Sequence, residues 1–531
     1  MDFAWDRLPE PLADGLRVGG AGKRHLTRLA RQCLADASGT LAPLGVDLLL
    51  AAWESDPLDA DLARQLLALV PGLAGTVPGQ TLEALCRLAP AGGPPKRPSG
   101  RGDPERLLAA LVADRLDPAL LRPALDLAWR EDLADRAAEF LARGTWPEPL
   151  EPLRLLLLGN ALFLGRDVAA AREAYAGSYA LLPLETARCR LGECLLRLGE
   201  RESAARLWLE SLRVRPWSVN LTLKAFDLVR GVRDLREPLP GPLAVLLYTY
   251  DKAALLDAAL ASLFASQLGQ ARVFVLDNGS ADATAEVLSA WQDRVGERLM
   301  RIDLPVNVGA PAARNWLARL PEVAACQWAA YLDDDALVPQ DWLALLGGAV
   351  SARPEAGVWG CKVVDAAGPA VIQNADLHVW PRQVGAEPGI EVSDLHLEEP
   401  DYGQFDYLRP CVSVTGCCHL FRTRLLAGQA FDIALSPSQF DDIEHDLRMN
   451  LKGLPAIYQG HLCVRHLKRT GELGRTDPRA AANAFGNRAK LERGYAGRPA
   501  RDIAGQNQAR LAEDLARKTK VLAEAAVDLL A

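Results

Sequence analysis

The chain has 531 residues, of which 49% are hydrophobic and 24% are charged, and its formal net charge is -8. This length is too great for one core and predicts roughly two to four domains, while the composition excludes a disordered chain. The negative charge argues against a general nucleic-acid-binding protein, because such a protein needs a net basic surface to neutralise phosphates.

The first residues, Met1–Asp6, lack the basic and apolar regions of a signal peptide, and no uncharged apolar run reaches the roughly 18 residues that span a bilayer. We therefore expect a cytoplasmic protein without a transmembrane segment. Peripheral membrane contact through Lys23–His25 is an alternative to a solvated helix face. The ten cysteines form no Cys-x-x-Cys pair and are interpreted as small buried hydrophobic residues, with a redox role for Cys417–Cys418 as the alternative.

The N-terminal part of the chain has a helical pattern. Residues 1–90 are rich in Leu, Ala and Arg at helical spacing and predict a helical N-terminal region. Residues 91–102 are predicted to be a linker, because prolines and glycines interrupt helices. The helical pattern resumes in residues 103–237.

One segment of residues 103–237 recurs after 34 residues, which is the period of tetratricopeptide repeats. Small residues at this spacing let paired helices pack closely, and each pair buries its apolar face on the next. We expect a tetratricopeptide-like region, with a plain helical bundle as the alternative. The recurring residues are Leu162, Leu164, Gly165, Ala170, Ala171 and Arg172, which return as Leu196, Leu198, Gly199, Ala204, Ala205 and Arg206.

After three closely spaced prolines, the pattern of residues 238–475 changes to apolar strands separated by helices. The run Leu243–Tyr248 is followed by a helical pattern over Leu255–Phe264 and a second apolar run, Val273–Leu276. Apolar strands alternating with helices predict a parallel sheet covered on both faces, in which ligands bind at the carboxyl ends of the strands. Residues 476–531 are predicted to form a C-terminal helical segment.

Polar residues follow three of the predicted strands, and the most acidic group is Asp333–Asp335 after the apolar run Trp328–Leu332. Carboxylates a few ångströms apart repel by roughly 4 kcal/mol per pair at an effective dielectric near 20. A divalent cation would relieve this repulsion, and oxygen ligands favour Mg²⁺ or Mn²⁺. The sequence therefore predicts a metal site that can bind the phosphates of a nucleotide.

Several motifs occur in the order typical of a known family. Thr249–Asp251 is similar to its Thr-Tyr-Asn segment, and Asp333–Asp335 to its Asp-x-Asp pair. Residues 243 to about 471 thus resemble a family 2 glycosyltransferase of the GT-A fold, an α/β fold with a Rossmann-like mixed sheet. The remaining matching segments are Val275–Asp282, Asn307–Asn315, Phe440–Arg448 and Val464–His466.

The resemblance implies an inverting, metal-dependent transfer from a nucleotide-diphosphate sugar, with Mn²⁺ or Mg²⁺ as the cofactor. It assigns the general base to Asp442 and the metal to Asp333, Asp335 and His466, with Asp335 favoured over Asp333 as a direct ligand. The Gln-x-x-Arg-Trp element of processive synthases is absent from the sequence, so one sugar is expected per event. The residues assigned to the donor are Thr249, Tyr250, Asp251, Asp277, Asn278, Gly309, Arg314, Asp333 and Asp334.

The sequence departs from the family at two positions, with Asp441 where Glu is usual and Tyr248 where Pro is usual. Single-residue alternatives also stay open: His466 as a structural histidine, Asp251 as a helix N-cap and Arg314 as the partner of a nearby carboxylate.

Two other functions compete with the transferase. A sugar nucleotidyltransferase would need a glycine-rich loop after the first strand, and Thr249–Ala254 contains no glycine. The other is a helical-repeat scaffold whose catalytic domain no longer acts. The helical region suggests a protein or peptide acceptor by fold analogy, with a glycan acceptor, or oligomerisation through the repeats, as alternatives.

Overall fold

The computed structural model describes residues 3–20, 22–73, 75–89, 109, 116–393, 395–397, 399–427, 430–468 and 478–530. The linker predicted at residues 91–102 lies outside these ranges. The chain divides into two compact units. The helical unit comprises Met1–Val229, Glu399–Gln404 and Lys518–Ala531, and the sheet unit comprises Arg230–Glu398 and Phe405–Arg517.

The helical unit contains α-helices and short 3-10 turns along its described residues. Its helices up to Val229 are α1 (Glu10–Arg17), α2 (Lys23–Leu34), α3 (Ala42–Ser55), α4 (Ala60–Leu69), α5 (Val77–Leu88), α6 (Pro118–Arg130), α7 (Ala134–Arg143), α8 (Glu151–Leu164), α9 (Val168–Leu181), α10 (Glu185–Arg197), α11 (Arg201–Val214) and α12 (Val219–Val229).

Two consecutive helix pairs, α8 with α9 and α10 with α11, repeat one packing device. A Cβ added at Gly159 would lie 2.6 Å from the ring of Tyr175, and a Cβ added at Gly192 would lie 2.4 Å from the indole nitrogen of Trp208. The absence of a side chain in the first helix of each pair thus admits a large aromatic side chain from the second. Both aromatic side chains are fully buried, which stabilises each pair through apolar burial.

The sheet unit alternates strands and helices. Its strands are β1 (Leu243–Thr249), β2 (Arg272–Asp277), β3 (Leu299–Asp303), β4 (Trp328–Leu332), β5 (Ala336–Leu337), β6 (Val358–Asp365), β7 (Ile372–Asn374), β8 (Val379–Val384), β9 (Glu387–Val392), β10 (Leu408–Cys411), β11 (Cys418–Arg422) and β12 (Ala456–His466). Its helices are α13 (Ala253–Ala265), α14 (Thr284–Val295), α15 (Ala310–Ala318), α16 (Pro321–Ala324), α17 (Trp342–Ala352), α18 (Asp441–Leu451), α19 (Pro478–Gly494) and α20 (Arg498–Leu529), which continues into the residues of the helical unit.

The main sheet has the order β10-β12-β6-β11-β4-β1-β2-β3. Strands β3, β2, β1 and β4 are parallel, whereas β11 is antiparallel to both β4 and β6. The predicted parallel sheet is therefore correct for these four strands and for the pairing of β12 with β6, and the mixed sheet implied by the family resemblance describes the whole. The predicted fold class, an α/β domain preceded by an all-helical region, is confirmed.

The parallel strands bring their carboxyl ends to one edge of the sheet. Thr249 at the end of β1 pairs in register with Asp277 at the end of β2, and Asp277 pairs with Asp303 at the end of β3. Strand β4 pairs with the other side of β1 and leads directly into Asp333. All five residues of β4 are buried, and Asp334 and Asp335 after them are buried as well.

Among the described helices, none is long and apolar enough to cross a bilayer.

Candidate active site

The acidic residues after β4 meet the end of β12. His466 Nε2 lies 2.8 Å from Asp335 Oδ1 and 4.0 Å from Asp333 Oδ2. The other ring nitrogen of His466, Nδ1, lies 3.0 Å from the side-chain oxygen of Gln373. Because the Gln373 amide nitrogen donates to the Lys468 carbonyl, its oxygen accepts the His466 Nδ1 proton. In the neutral imidazole this leaves the Nε2 lone pair directed at the carboxylates.

Lys252, which immediately precedes helix α13, supplies a cation to the same carboxylates. Its Nζ donates to Asp334 Oδ1 at 2.7 Å and to Asp335 Oδ2 at 2.9 Å. Burial opposes the charge on Lys252, but the two carboxylates outweigh it and raise its pKa. One ammonium group thus neutralises part of the negative charge that three consecutive aspartates bring to the sheet edge.

The three aspartates are not equivalent electrostatically. Burial, with a further contribution from the charge of Asp335, raises the pKa of Asp333 to about 6. Burial also raises the pKa of Asp334, although Lys252 opposes the shift. For Asp335 burial is outweighed by His466 and Lys252, which hold its pKa below the ordinary range. The pKa of His466 is raised, because its bond to Asp335 outweighs the effect of burial.

Arg314 and Asp442 approach the acidic group from helices α15 and α18. Arg314 Nη1 donates to Asp441 Oδ2 at 2.8 Å, and its Nη2 lies 3.9 Å from Asp333 Oδ1. The backbone nitrogen of Gly416 donates to Asp442 Oδ2 at 2.7 Å. A Cβ added at Gly416 would lie 2.6 Å from Arg314 Nη2 and 2.9 Å from Asp442 Oδ2. The absence of a side chain at Gly416 therefore leaves room for both the guanidinium of Arg314 and the carboxylate of Asp442.

The predicted donor residues at the ends of β1 and β2 are held by local hydrogen bonds. Thr249 and Asp277 are buried and in register, and the Ser280 backbone nitrogen donates to Asp277 Oδ1 at 2.9 Å. Asn278 Nδ2 donates to Asn307 Oδ1 at 2.9 Å, and its Oδ1 accepts from the Val308 backbone. These contacts link β2 to the segment that begins helix α15.

Gly309 is the residue before helix α15 and has a φ of +83°, a conformation that side chains other than glycine adopt rarely. A Cβ added there would lie 2.9 Å from Ser436 Oγ. A substitution at Gly309 would therefore strain the backbone and displace the loop that precedes Asp442.

Asp251 does not cap helix α13, which removes the N-cap alternative. Its Oδ1 accepts a hydrogen bond from the Ala281 backbone nitrogen at 2.7 Å, whereas the first helical nitrogen, that of Ala253, donates to Asp282 Oδ2 at 2.9 Å. Asp251 thus connects the ends of β1 and β2. The neighbouring Tyr250 is 45% exposed, so its ring faces solvent at the same edge.

The donor atoms at the sheet edge suit a divalent cation. Ligand-capable atoms of Asp333, Cys417 and His466 all lie within 4.8 Å of one another. A carboxylate and an imidazole are both ligands that Mn²⁺ accepts, and the Gln373 oxygen fixes the ring of His466 as an outer-shell partner of a metal ligand does. The residues present therefore fit the metal that the sequence predicted.

The family model "Glycosyl transferase family 2" matches residues 244–426. This segment is a family 2 glycosyltransferase domain. The match includes the donor-side residues and Asp333–Asp335, while Asp442 and His466 follow it along the chain, so their assignment depends on the geometry and on the motifs described above.

Two curated relatives are validoxylamine A glucosyltransferases of Streptomyces hygroscopicus. The protein of subsp. jinggangensis (strain 5008) is 35% identical over 123 residues, which are 22% of this chain and 28% of the relative. That of subsp. limoneus is 31% identical over 159 residues, which are 28% of this chain and 33% of the relative. The chain thus spans about a third or less of the length of the curated relatives that it matches.

Similar solved structures are also glycosyltransferases. The mannosyltransferase PcManGT from Pyrobaculum calidifontis, solved with GDP-Man and Mn²⁺, has 18% identity and a TM-score of 0.36, over 59% of this chain and 92% of the other. GalNAc-T7, solved with UDP, GalNAc and Mn²⁺, has 13% identity and a TM-score of 0.34, over 43% of each chain.

The sequence reasoning missed two residues of this site. Lys252 follows the Thr249–Asp251 motif directly, so the position of a cation beside a predicted binding segment was an available signal. Cys417 was interpreted as a buried hydrophobic residue or part of a redox pair, and the structure places its sulfur beside Asp333 and His466. The cysteines of the described residues are free thiols.

Proposed function

We propose that this protein is an inverting, metal-dependent glycosyltransferase that moves a single sugar from a nucleotide-diphosphate donor to an acceptor. The observation that carries the proposal is the convergence of a carboxylate and imidazole cluster, Asp333, Asp335 and His466, with the carboxylate of Asp442. Arg314 lies between the two groups, since it bonds Asp441, the residue before Asp442, at 2.8 Å and lies 3.9 Å from Asp333. The family match of the segment supports this assignment.

The donor would bind across the ends of β1 and β2. Thr249 and Asp277, buried and in register, present polar side chains to the base and ribose, and Tyr250 offers an exposed ring. Asp251, Asn278 and Gly309 hold the connecting segments in place. Asp334 and Arg314 border the position expected for the diphosphate.

Asp333, Asp335 and His466 would hold the metal, Mn²⁺ or Mg²⁺. The bound ion supplies positive charge that stabilises the departing nucleoside diphosphate. Before an ion binds, Lys252 neutralises Asp334 and Asp335, and its position leaves it able to turn toward a donor phosphate. His466 must be neutral to act as a ligand, and Gln373 selects the tautomer with the lone pair on Nε2.

Asp442 would act as the general base. Its Oδ1 and Oδ2 each accept one backbone hydrogen bond, from Ile443 at 2.8 Å and Gly416 at 2.7 Å, which orients the carboxylate and leaves further lone pairs for the acceptor hydroxyl. The carboxylate takes the proton of that hydroxyl as its oxygen attacks the anomeric carbon. A single displacement of this kind inverts the anomeric configuration and needs no second carboxylate nucleophile.

The acceptor is proposed to be a protein or peptide, on the analogy that stacked helix pairs provide surfaces for extended chains. A glycan acceptor is the alternative, and protease treatment of the radiolabelled product would separate the two. Label that becomes soluble after digestion supports the protein acceptor, and label that resists digestion supports the glycan.

The experiment that tests the transferase is a donor screen with the full chain. We expect one or more nucleotide sugars to release nucleoside diphosphate in the presence of Mn²⁺, with the release abolished by a chelator and by Asp442→Asn. Pyrophosphate release from a nucleoside triphosphate and a sugar phosphate would instead support the nucleotidyltransferase. A full donor panel without turnover or thermal protection would support the non-catalytic scaffold.

A further inference from the structure

Cys417 is the residue of the metal-binding cluster that the family motifs do not explain. Its sulfur, one Asp333 oxygen and one His466 nitrogen all lie within 4.8 Å of one another. Cys417 is 4% exposed, so the thiol faces the interior of the site and not bulk solvent.

The backbone fixes Cys417 beside the acidic residues. The Asp333 backbone nitrogen donates to the Cys417 carbonyl at 3.0 Å, which extends the antiparallel pairing of β11 with β4 by one step beyond Cys418 and Leu332. Successive side chains of a strand point to opposite faces. Accordingly the next residue, Cys418, interacts with Cys361, while the Cys417 sulfur lies within 4.8 Å of ligand atoms of Asp333 and His466.

Thiolate is a softer donor than carboxylate or imidazole. Oxygen donors suit Mg²⁺ and Mn²⁺, whereas a sulfur donor favours Co²⁺, Zn²⁺ and Cd²⁺. A cysteine among the ligands therefore shifts metal preference away from Mg²⁺. A structural role as a small buried hydrophobic residue would not require the sulfur to lie within 4.8 Å of donor atoms on two other side chains.

We propose that Cys417 is a ligand of the catalytic metal, so that the site binds its ion through sulfur as well as through Asp333, Asp335 and His466. This inference rests on the proposed metal-dependent transferase and specifies which cation the site selects. The thiol proton passes to solvent as the metal–sulfur bond forms. The site then prefers borderline and soft divalent cations over Mg²⁺.

Optical titration of the full chain with Co²⁺ tests the proposal, because cobalt bound to thiolate gives an intense near-ultraviolet charge-transfer band. We expect this band in the wild-type protein, its loss in Cys417→Ser, and its retention in Cys418→Ser, which removes the adjacent thiol on the opposite face. Only a large excess of Mn²⁺ should reduce the band by displacing cobalt, because the sulfur ligand favours Co²⁺. Cobalt affinity should fall at least about tenfold in Cys417→Ser, since even outer-shell partners of ligands contribute about 10- to 100-fold.

Two results would overturn the assignment of Cys417: a wild-type protein that binds cobalt without the band, or a band equally strong in Cys417→Ser. Either leaves the proposed transferase intact if Mn²⁺ still binds, as measured by loss of the free-ion signal in electron paramagnetic resonance. Absence of both Co²⁺ and Mn²⁺ binding would overturn the metal site itself. If Cys417→Ser fails to fold, the presence or absence of the cobalt–thiolate band in the wild-type protein still tests the assignment of Cys417. Cys417→Ala provides a second variant.

Discussion

Buried carboxylates occur in both units of the molecule, but their charges are balanced differently. In the helical unit, Glu54 receives two hydrogen bonds from Arg215, at 2.6 and 3.0 Å, and a third from the Thr186 backbone at 2.8 Å. Burial opposes its ionisation, yet Arg215 prevails and lowers the pKa of Glu54. The chain itself neutralises this charge with matched geometry.

At the sheet edge the neutralisation is incomplete. Asp333, Asp334 and Asp335 share Lys252 and His466, while Arg314 lies 3.9 Å from Asp333 but bonds a fourth carboxylate, that of Asp441. Burial together with Asp335 still raises the pKa of Asp333 to about 6. Burial of charge alone therefore does not identify a functional site. A carboxylate with its own bidentate partner stabilises the fold, whereas a group of carboxylates with too few cations favours binding of an external one.

The largest effect is expected at the base. Asp442→Asn keeps the size of the side chain but removes its ability to accept a proton, so the turnover number for transfer should fall by about 10²- to 10⁴-fold. Steady-state kinetics with the donor found in the screen measures it. Glu444→Gln is the matched control on the same helix, because Glu444 pairs with Arg448. Comparable losses in both variants would show that helix α18 contributes only structure.

The second prediction concerns stability in the helical unit. Glu54→Gln removes the bidentate ionic partner of the buried Arg215, which keeps only its bond to the partly exposed Asp47 at 3.0 Å. Breaking a buried pair costs about 3–5 kcal/mol in the free energy of unfolding. Urea denaturation measures this loss. Mn²⁺ uptake by the folded variant should be unchanged, and a loss of uptake would contradict the separation of structural from functional charge.

The third prediction concerns pH. Burial raises the pKa of Asp446 from 3.8 to about 7 in the folded protein. Because the folded state holds this proton where the unfolded chain releases it, the contribution of Asp446 to the free energy of unfolding should fall as pH rises from about 4 to about 7, by up to roughly 1.4 kcal/mol per pH unit. Asp446→Asn should flatten the dependence of the unfolding free energy on pH across that window. An unchanged slope would contradict the burial argument.

The smallest expected effect is an increase in stability, in contrast to the loss of stability expected for Glu54→Gln. Asp333→Asn removes a carboxylate whose ionisation the fold disfavours, while Arg314 keeps its bond to Asp441. Without metal, the unfolding temperature should rise, on the order of 2 °C, even as metal binding is lost. Differential scanning calorimetry in chelator measures it, and a fall comparable to that of Glu54→Gln would erase the contrast between the units.

The strand ends were predictable because they depend on local pattern. The apolar runs Leu243–Tyr248 and Trp328–Leu332 predicted β1 and β4, and the polar residues that follow each run predicted where the strand ends. The predicted metal residues Asp333, Asp335 and His466 lie together in the structure, with His466 Nε2 2.8 Å from Asp335 and 4.0 Å from Asp333.

Features that depend on long-range pairing were not predictable. The antiparallel direction of β11 places Cys417 beside Asp333, and no local pattern specifies which strand β11 pairs with. The two hydrogen bonds of Lys252, to Asp334 and to Asp335, join residues more than eighty positions apart in the sequence. The grouping of Glu399–Gln404 with the helical unit likewise depends on contacts distant in sequence.

The sheet edge is expected to bind a divalent cation, because its own cationic side chains do not balance the charge of its carboxylates. Titration of the full chain with Mn²⁺, followed by electron paramagnetic resonance of the free ion, tests it without knowledge of the donor or acceptor. We predict saturable uptake by the wild-type protein and by Glu54→Gln, and none by Asp335→Asn. Equal uptake by Asp335→Asn, or no uptake by the wild-type protein, would contradict the account.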